Sequence, residues 1–162
     1  MDFLLAPQPQ LDINRGEVDI LLVDRAGFWV RVKAISIDQS LVGLIIGTLT
    51  TTTGLILDFW GVSSGSNWPV YVLSLALSGI AIDGAYYTLF HGSSGQTVGK
   101  LIFGLRVVSN TGKPLTYGQA FKRWLGCFAS ALSLGIGYLR AALYKDRLAW
   151  HDIIAQTLVV KL

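Results

Sequence analysis

The sequence predicts an all-α membrane protein with two transmembrane helices, a short third or re-entrant helical hairpin, and a small cytosolic β appendage. Two apolar stretches, residues 35–57 and 70–90, each exceed 20 residues. At 1.5 Å per residue such a helix crosses a hydrocarbon core of roughly 30 Å. The chain of 162 residues is 52% hydrophobic and only 14% charged, whereas a soluble domain carries about 25% charged residues. Most of its apolar surface is therefore expected to face lipid or other helices.

The chain is predicted to begin with a cytosolic arm, residues 1–27, followed by one membrane domain, residues 28–162. The arm is acidic and contains two prolines, which is unlike a cleaved signal peptide. Its segment VDILLV, residues 18–23, is rich in β-branched residues and is predicted to be a strand. The alternative is a segment lying on the bilayer surface. Phe28 and Trp29 are typical of the membrane interface and mark the start of the membrane domain.

The distribution of Lys and Arg predicts the orientation. Four basic residues precede the first span, none lies in the connection 58–69, and three lie in the segment 91–119. Because basic loops stay on the cytoplasmic side, the arm and the segment 91–119 are placed in the cytoplasm and the connection outside. The expected location is the cytoplasmic (inner) membrane, with the N-terminus in the cytoplasm.

The third apolar stretch, residues 124–139, holds only 16 uncharged residues. As one helix it would be roughly 24 Å long, short of a full span. Gly135 and Gly137 permit a turn near its far end, and the tail beyond it is again basic. These features favour a re-entrant hairpin that returns to the cytoplasm over a simple third span.

Two segments on either side of this stretch have the composition of strands. They are FGLRVVSN, residues 103–110, and AQTLVVKL, residues 155–162. We expect them to pair in a small cytosolic sheet, either alone or together with residues 18–23. Such pairing requires both segments to lie on one side of the membrane.

The first span contains a pattern of small residues, GLIIG, at Gly43 and Gly47. Small residues four apart on a membrane helix let another helix approach closely. The pattern predicts packing against the second span or against a second copy. The expected partners are therefore the lipid bilayer and either a second copy or other membrane protein subunits.

Each long apolar stretch carries one carboxylate, Asp38 in the first and Asp83 in the second. Both fall in the cytoplasmic half of their span, at roughly the same depth. Arg31 lies two helical turns before Asp38, on the same face. Tyr86 and Tyr87 follow Asp83 at positions i+3 and i+4 and could donate hydrogen bonds to it. A carboxylate inside a membrane is costly, so a site is expected here.

Two functions of these carboxylates stay open. As a pair they could exchange protons for cations. Alternatively, they are held as structural ion pairs by Arg123, Arg140 or Lys100. A second polar group, DRLAWHD, contains Asp146 and Asp152. It is either solvated interfacial charge or an ion-pairing group that binds Arg31 or Arg123 and closes the bundle from below.

Three blocks of the sequence resemble the RDD family of small bacterial membrane proteins, which is named for a characteristic arginine and two aspartates. The blocks are RVKAISID, GQTVGKLIFGLRVV with the following TGKPLTYGQAFKRWL, and DRLAWHDIIAQTLVV. The residues that fall on the family pattern include Arg31, Asp38, Gly95, Gln96, Thr97, Gly99, Lys100, Arg123, Asp146, His151 and Asp152. Asp83 and the N-terminal arm lie outside it. The resemblance implies either an accessory membrane domain or a role in monovalent cation/proton antiport.

The sequence contains no motif that predicts an enzyme, a metal site or a cofactor. It has no HExxH, no CxxC and only two histidines, His91 and His151. Its net charge of +3 is dispersed, which argues against nucleic-acid binding. We therefore predict a non-catalytic accessory or scaffold subunit that packs with itself or a larger membrane complex. The alternative is a monovalent cation/proton antiporter that uses Asp38 and Asp83.

Overall fold

The computed structural model describes residues 24–61, 68–133 and 135–162, and within these ranges the chain is mostly helical. The predicted strand at residues 18–23 lies outside the described residues. In chain order the elements are α1 (Phe28–Phe59), α2 (Trp68–Ser93), α3 (Val98–Ile102), β1 (Leu105–Ser109), α4 (Tyr117–Leu132), α5 (Ile136–Leu143), α6 (Trp150–Ile154) and β2 (Thr157–Lys161).

Helices α1 and α2 correspond to the two predicted spans. Both are long and apolar enough to cross a bilayer, and only 6% and 11% of their most apolar windows are buried within the chain. A core helix of a soluble protein would instead be mostly buried. Burial on α1 is confined to its first half, and it ends at Val42. The buried residues of α2, Gly84 and His91, lie in its second half. The packed part of the protein is therefore at one end of the helix pair.

The predicted pairing of the two β segments is confirmed. β1 and β2 are antiparallel, with Leu105 opposite Lys161 and Ser109 opposite Thr157. The chain before α1 adds to the other edge of β2, where Arg25 forms a bridge with Val160. Both termini of the described chain therefore lie at the same end of the helix pair as the connection after α2.

The third apolar stretch forms a helical hairpin. Helix α4 begins at a capping box in which Gln119 and the Thr116 side chain bond each other's backbone N–H groups. It ends before a turn in which Gly135 has a φ of 83°, a conformation that suits glycine. Because of this turn, the third apolar stretch is not one continuous helix. Gly137 then brings α5 close to α4, because a Cβ there would lie 2.6 Å from the Ser130 hydroxyl oxygen.

Glycines also set the close packing around α4. A Cβ on Gly84 of α2 would lie 2.9 Å from the Trp124 ring, and one on Gly126 would lie 3.0 Å from the His151 backbone. The apolar core beside the sheet is built from Ala26, Ala34, Leu105, Val107, Leu115, Ala120 and Val159. The glycine contacts therefore hold α2 and α6 against α4.

Candidate functional site

The end of the helix pair at which the sheet lies, which we call the base, buries an unusual number of polar side chains. Each of the following is at most 7% exposed: Arg31, Asp38, His91, Thr97, Lys100, Arg123, His151 and Asp152. Buried charges are rarely retained unless they are paired or hydrogen-bonded. Their partners therefore indicate which of them hold the fold and which remain available to a ligand.

Asp152 is the centre of a buried group of two arginines and one carboxylate. Its Oδ2 accepts hydrogen bonds from Arg31 Nη1 and from the Ala149 N–H, both at 2.8 Å. Its Oδ1 accepts from Arg123 Nη1, and the same Arg123 atom donates to Thr157 Oγ1 at 2.6 Å. The carboxylate thus joins the start of α1, the middle of α4 and the N-terminus of α6.

The charge of Asp152 is stabilised by this surrounding. Burial alone would raise its pKa, but the charges of Arg123 and Arg31 outweigh burial and hold the pKa well below its usual range. The neighbouring His151 has its pKa lowered to about 3, first by burial and then by Arg123. Its imidazole is therefore neutral at physiological pH. The buried ion group thus consists of two guanidinium groups and one carboxylate.

Asp38 is held by neutral donors. Its carboxylate accepts hydrogen bonds from the Tyr86 hydroxyl at 2.8 Å, the Thr97 hydroxyl at 2.6 Å and the Gly99 N–H at 2.7 Å. Thr97 is the N-cap of the short helix α3, so Asp38 fixes that helix against α1. Gly99 permits the approach, because a Cβ at this position would collide with the Ala34 carbonyl.

The loop before α3 is fixed by two further residues of the family pattern. Gly95 has a φ of 73°, and a Cβ there would lie 2.5 Å from the Val107 carbonyl oxygen. Gln96 donates from Nε2 to the Leu105 carbonyl at 2.8 Å. These contacts tie the loop to β1 and place Thr97 beneath Asp38.

Within the described part of the chain, Asp83 also accepts its hydrogen bonds from neutral donors. Its Oδ2 accepts from Trp124 Nε1 at 2.8 Å and its Oδ1 from Gln39 Nε2 at 3.3 Å. The same Gln39 nitrogen lies 3.2 Å from the Tyr87 hydroxyl oxygen, to which it donates. Since Gln39 follows Asp38 in α1, the two carboxylates lie at the same level of the helix pair, although different donors hold them.

The structure assigns the partner of Arg31, which the sequence left open, and differs from two of the expected contacts. Arg31 and Asp38 share the buried face of α1, but the Arg31 guanidinium binds Asp152. Tyr86 donates to Asp38 and not to Asp83. Among the described residues, neither Asp38 nor Asp83 forms an ion pair with Arg123, Arg140 or Lys100. From the sequence alone, an arginine is the expected partner of a carboxylate in a lipid-facing span. In the structure, hydroxyl, indole and backbone donors supply the hydrogen bonds instead.

The second polar group divides between the two expected roles. Asp152 is buried and bonds to both Arg31 and Arg123, as the ion-pairing alternative required. Asp146 is partly exposed and pairs with Arg140 at 2.7 Å. The Arg140 guanidinium lowers the pKa of Asp146. Asp146 therefore fixes the turn after α5 and lies apart from the buried centre.

Two adjoining cavities open beside the buried centre. One of about 210 Å³ extends from Asp83 and Gln39 to Lys100, Arg123 and His151. The other, of about 250 Å³, extends toward Arg31 and the start of α1. The residues that line both are Ile35, Lys100, Arg123, Tyr138 and His151. The boundary between the two cavities is therefore basic and aromatic.

Sequence reasoning did not identify His91, Gln39 and Trp124 as members of this site. His91 is buried in the last turn of α2 and lines the smaller cavity. A histidine that ends an apolar span and precedes Lys100 by nine residues was the available signal. Within the described ranges no group of three His, Cys, Asp or Glu side chains is arranged to hold a metal ion.

Two apolar helices above a buried Arg–Asp–Arg group define a small α-helical membrane protein. The chain belongs to the RDD family, whose model matches residues 25–156, and this confirms the resemblance in the sequence.

Two relatives come from Bacillus subtilis (strain 168). The uncharacterized protein YxaI is 30% identical over 146 residues, covering 83% of this chain and 96% of the relative. The uncharacterized membrane protein YteJ is 29% identical over 146 residues, covering 89% of this chain and 85% of the relative. No solved structure gives a significant match.

Proposed function

We propose that this chain is a non-catalytic accessory or scaffold subunit that packs with itself or a larger membrane complex. Its contact surface is the face of α1 that carries Gly43 and Gly47. It resides in the cytoplasmic (inner) membrane with its N-terminus in the cytoplasm. The following observations support the proposal.

The observation that carries it is the open surface around the two glycines. A Cβ placed on Gly43 or Gly47 would have no heavy atom from elsewhere in the described chain within 4 Å. By contrast, a Cβ placed on Gly79 of α2 would lie 3.6 Å from the Ile46 side chain of α1, so α2 packs on another part of α1. Small residues at four-residue spacing allow close helix approach, and here that face is free to accept a helix from another chain.

The orientation is supported by two features together. Residues 24–27 of the arm, β1 and β2 meet at one end of the helix pair. Arg25 and the basic residues of the segment 91–119 therefore lie on one side, whereas the connection 58–69 contains no Lys or Arg. Basic segments remain in the cytoplasm.

A non-catalytic role is supported by how the polar groups are used. The carboxylates of Asp38 and Asp152 each accept three hydrogen bonds from the protein itself. The Thr97 hydroxyl that donates to Asp38 belongs to a residue that is only 1% exposed, where a substrate has no access to it as a nucleophile. The bonds of the two carboxylates instead join helices that are distant in the sequence.

The test is co-purification of two differently tagged copies from one membrane, together with identification of other chains at fixed stoichiometry. Gly43→Leu and Gly47→Leu should abolish the association without loss of folding, because neither leucine would clash within the chain. Ala81→Leu enlarges an exposed small residue of α2 and is the matched control. Association that survives both glycine variants, or no associated chain at all, would refute the packing role.

The antiport alternative is supported by Asp83, which lines the smaller cavity at the level of Asp38. Against it, the oxygens of Asp38 already accept three hydrogen bonds, and Lys100 and Arg123 line the same cavity as Asp83. Proton flux in liposomes, driven by sodium, lithium or potassium gradients, separates the two functions. Flux that disappears in Asp38→Asn or Asp83→Asn would establish antiport in place of the scaffold role.

A further inference from the structure

The smaller cavity has a basic wall whose polar atoms are incompletely bonded. Lys100, Arg123, His91 and His151 are each at most 5% exposed and all line it. They come from α3, α4, the end of α2 and α6, so four separate elements converge on one space. Such convergence of buried basic groups requires an energetic explanation, because each buried charge without a partner destabilises the fold.

Lys100 has no carboxylate partner. Its Nζ makes one hydrogen bond, at 3.4 Å to Thr97 Oγ1, and lies 5.9 Å from the centre of the Tyr87 ring. Among the described residues no carboxylate oxygen lies within 4 Å of this ammonium group. The Thr97 hydroxyl already donates its proton to Asp38. Burial, and then Arg123, lowers the pKa of Lys100 to about 8.

The two histidines add unbonded nitrogens to the same cavity. Among the described residues, Nδ1 of His151 has no hydrogen-bond partner. The backbone of Tyr87, one turn earlier, interacts with the His91 ring, and at least one ring nitrogen of His91 still has no partner in the part of the chain that the structure describes. Buried polar atoms without partners are rare, and they indicate a missing water, ion or ligand.

The buried charges around the smaller cavity leave it basic at the end where Lys100 lies. Three cations and two carboxylates are almost completely buried, and Asp152 pairs with two of the cations, which leaves a net positive charge on that group. Asp38 interacts with the charge of Lys100, but its oxygens accept their hydrogen bonds from Tyr86, Thr97 and Gly99. The half-buried Asp83 lines the opposite end, where Trp124 and Gln39 bind it.

We propose that this cavity binds a phosphate-type oxyanion, with Lys100 and Arg123 supplying the charge and His91 and His151 supplying further hydrogen bonds. An oxyanion has several acceptor oxygens and fits a wall on which donors converge from different sides. At roughly 30 Å³ per water molecule, a volume of about 210 Å³ is ample for such a group. The anion could be the phosphate of a membrane lipid or a free phosphate. The site is independent of the proposed packing through α1.

The experiment measures thermal unfolding of the purified full chain in nanodiscs. In one arm the nanodiscs are pure phosphatidylcholine, and inorganic phosphate is titrated against chloride at constant ionic strength. In the other arm phosphatidylglycerol replaces a quarter of the phosphatidylcholine, and phosphate is absent. Stabilisation by inorganic phosphate identifies a free anion, whereas stabilisation by phosphatidylglycerol alone identifies a lipid headgroup. Stabilisation in either arm supports the proposal, and the absence of stabilisation in both arms refutes it.

Variants assign the effect to the cavity. Lys100→Met should raise the anion concentration for half-maximal stabilisation at least tenfold, whereas Lys113→Met, at an exposed lysine, should leave it unchanged. Without anion, Lys100→Met should unfold at the same temperature as the parent chain or higher, because it removes an unpaired buried charge. His91→Gln provides a second test should Lys100→Met fail to fold. A full anion response in the variant that folds would overturn the assignment.

Discussion

Replacement of Asp152 by asparagine tests whether one carboxylate holds the base of the protein together. In Asp152→Asn the side chain keeps one acceptor oxygen. Its NH2 group replaces the other oxygen and would point a donor at the donor of the second guanidinium group. Arg31 and Arg123 would then share one neutral acceptor in a site where Asp152 itself is 0% exposed. Removal of one partner from a buried ion pair costs about 3–5 kcal/mol. Because two arginines lose their counterion here, we expect the upper end of that range.

The assay is equilibrium unfolding in detergent, followed by tryptophan fluorescence and repeated on membranes by resistance to proteolysis. Arg31→Gln leaves Asp152 with Arg123 and with the Ala149 N–H. It should therefore cost less, about 1.5–3 kcal/mol for one charged hydrogen-bonding group. Asp146→Asn makes the same chemical change in the partly exposed pair with Arg140 and is the matched control, with little expected effect. If Asp152→Asn and Asp146→Asn lower the free energy of unfolding equally, the reasoning fails.

Three further perturbations test the surroundings of this centre. Gly99→Ala should prevent α3 from docking on the backbone of α1, so that a protease cuts the chain near α3. The control is Gly118→Ala, whose Cβ would lie 4.0 Å from its nearest neighbour, and this variant should resist proteolysis like the parent chain. Thr97→Val removes a buried donor to Asp38 and should lower the free energy of unfolding by about 1–3 kcal/mol; an unchanged value would contradict the role given to this bond. His151→Gln should reduce the loss of stability between pH 6.5 and 5, because the pKa of His151 falls to about 3 on folding. Below pH 6.5 the unfolded chain binds a proton that the folded chain excludes, which costs up to about 1.4 kcal/mol per pH unit; equal pH slopes for variant and parent would contradict this.

The elements with strong local signals could be predicted from the sequence. The two apolar stretches predicted α1 and α2, and the β-branched segments predicted the pair β1 and β2. The glycines near residue 135 predicted the break between α4 and α5. Each of these features depends on residues that are adjacent in the chain, which is why composition and spacing were sufficient.

The partners within the polar centre could not be assigned in the same way. Arg31 has a carboxylate seven residues away on its own helix, yet it binds one that is 121 residues away. The choice depends on where α6 and the loop before α3 dock, and docking depends on glycine contacts such as those of Gly99 and Gly126. Periodicity places two residues on one face of a helix, but it does not say which other element covers that face.

The long sequence separation between Arg31 and Asp152 has a consequence for synthesis of the protein. A ribosome makes α1 first, and the carboxylate that pairs with its arginine is made 121 residues later. Until then the insertion machinery handles a helix whose first turn carries a cation without its counterion. The strand β2, which also covers the chain before α1, is made later still. Assembly of the base must therefore wait until α6 and β2 have been made. Chains truncated before Asp152 would expose an unpaired arginine, by which quality-control proteases could recognise them.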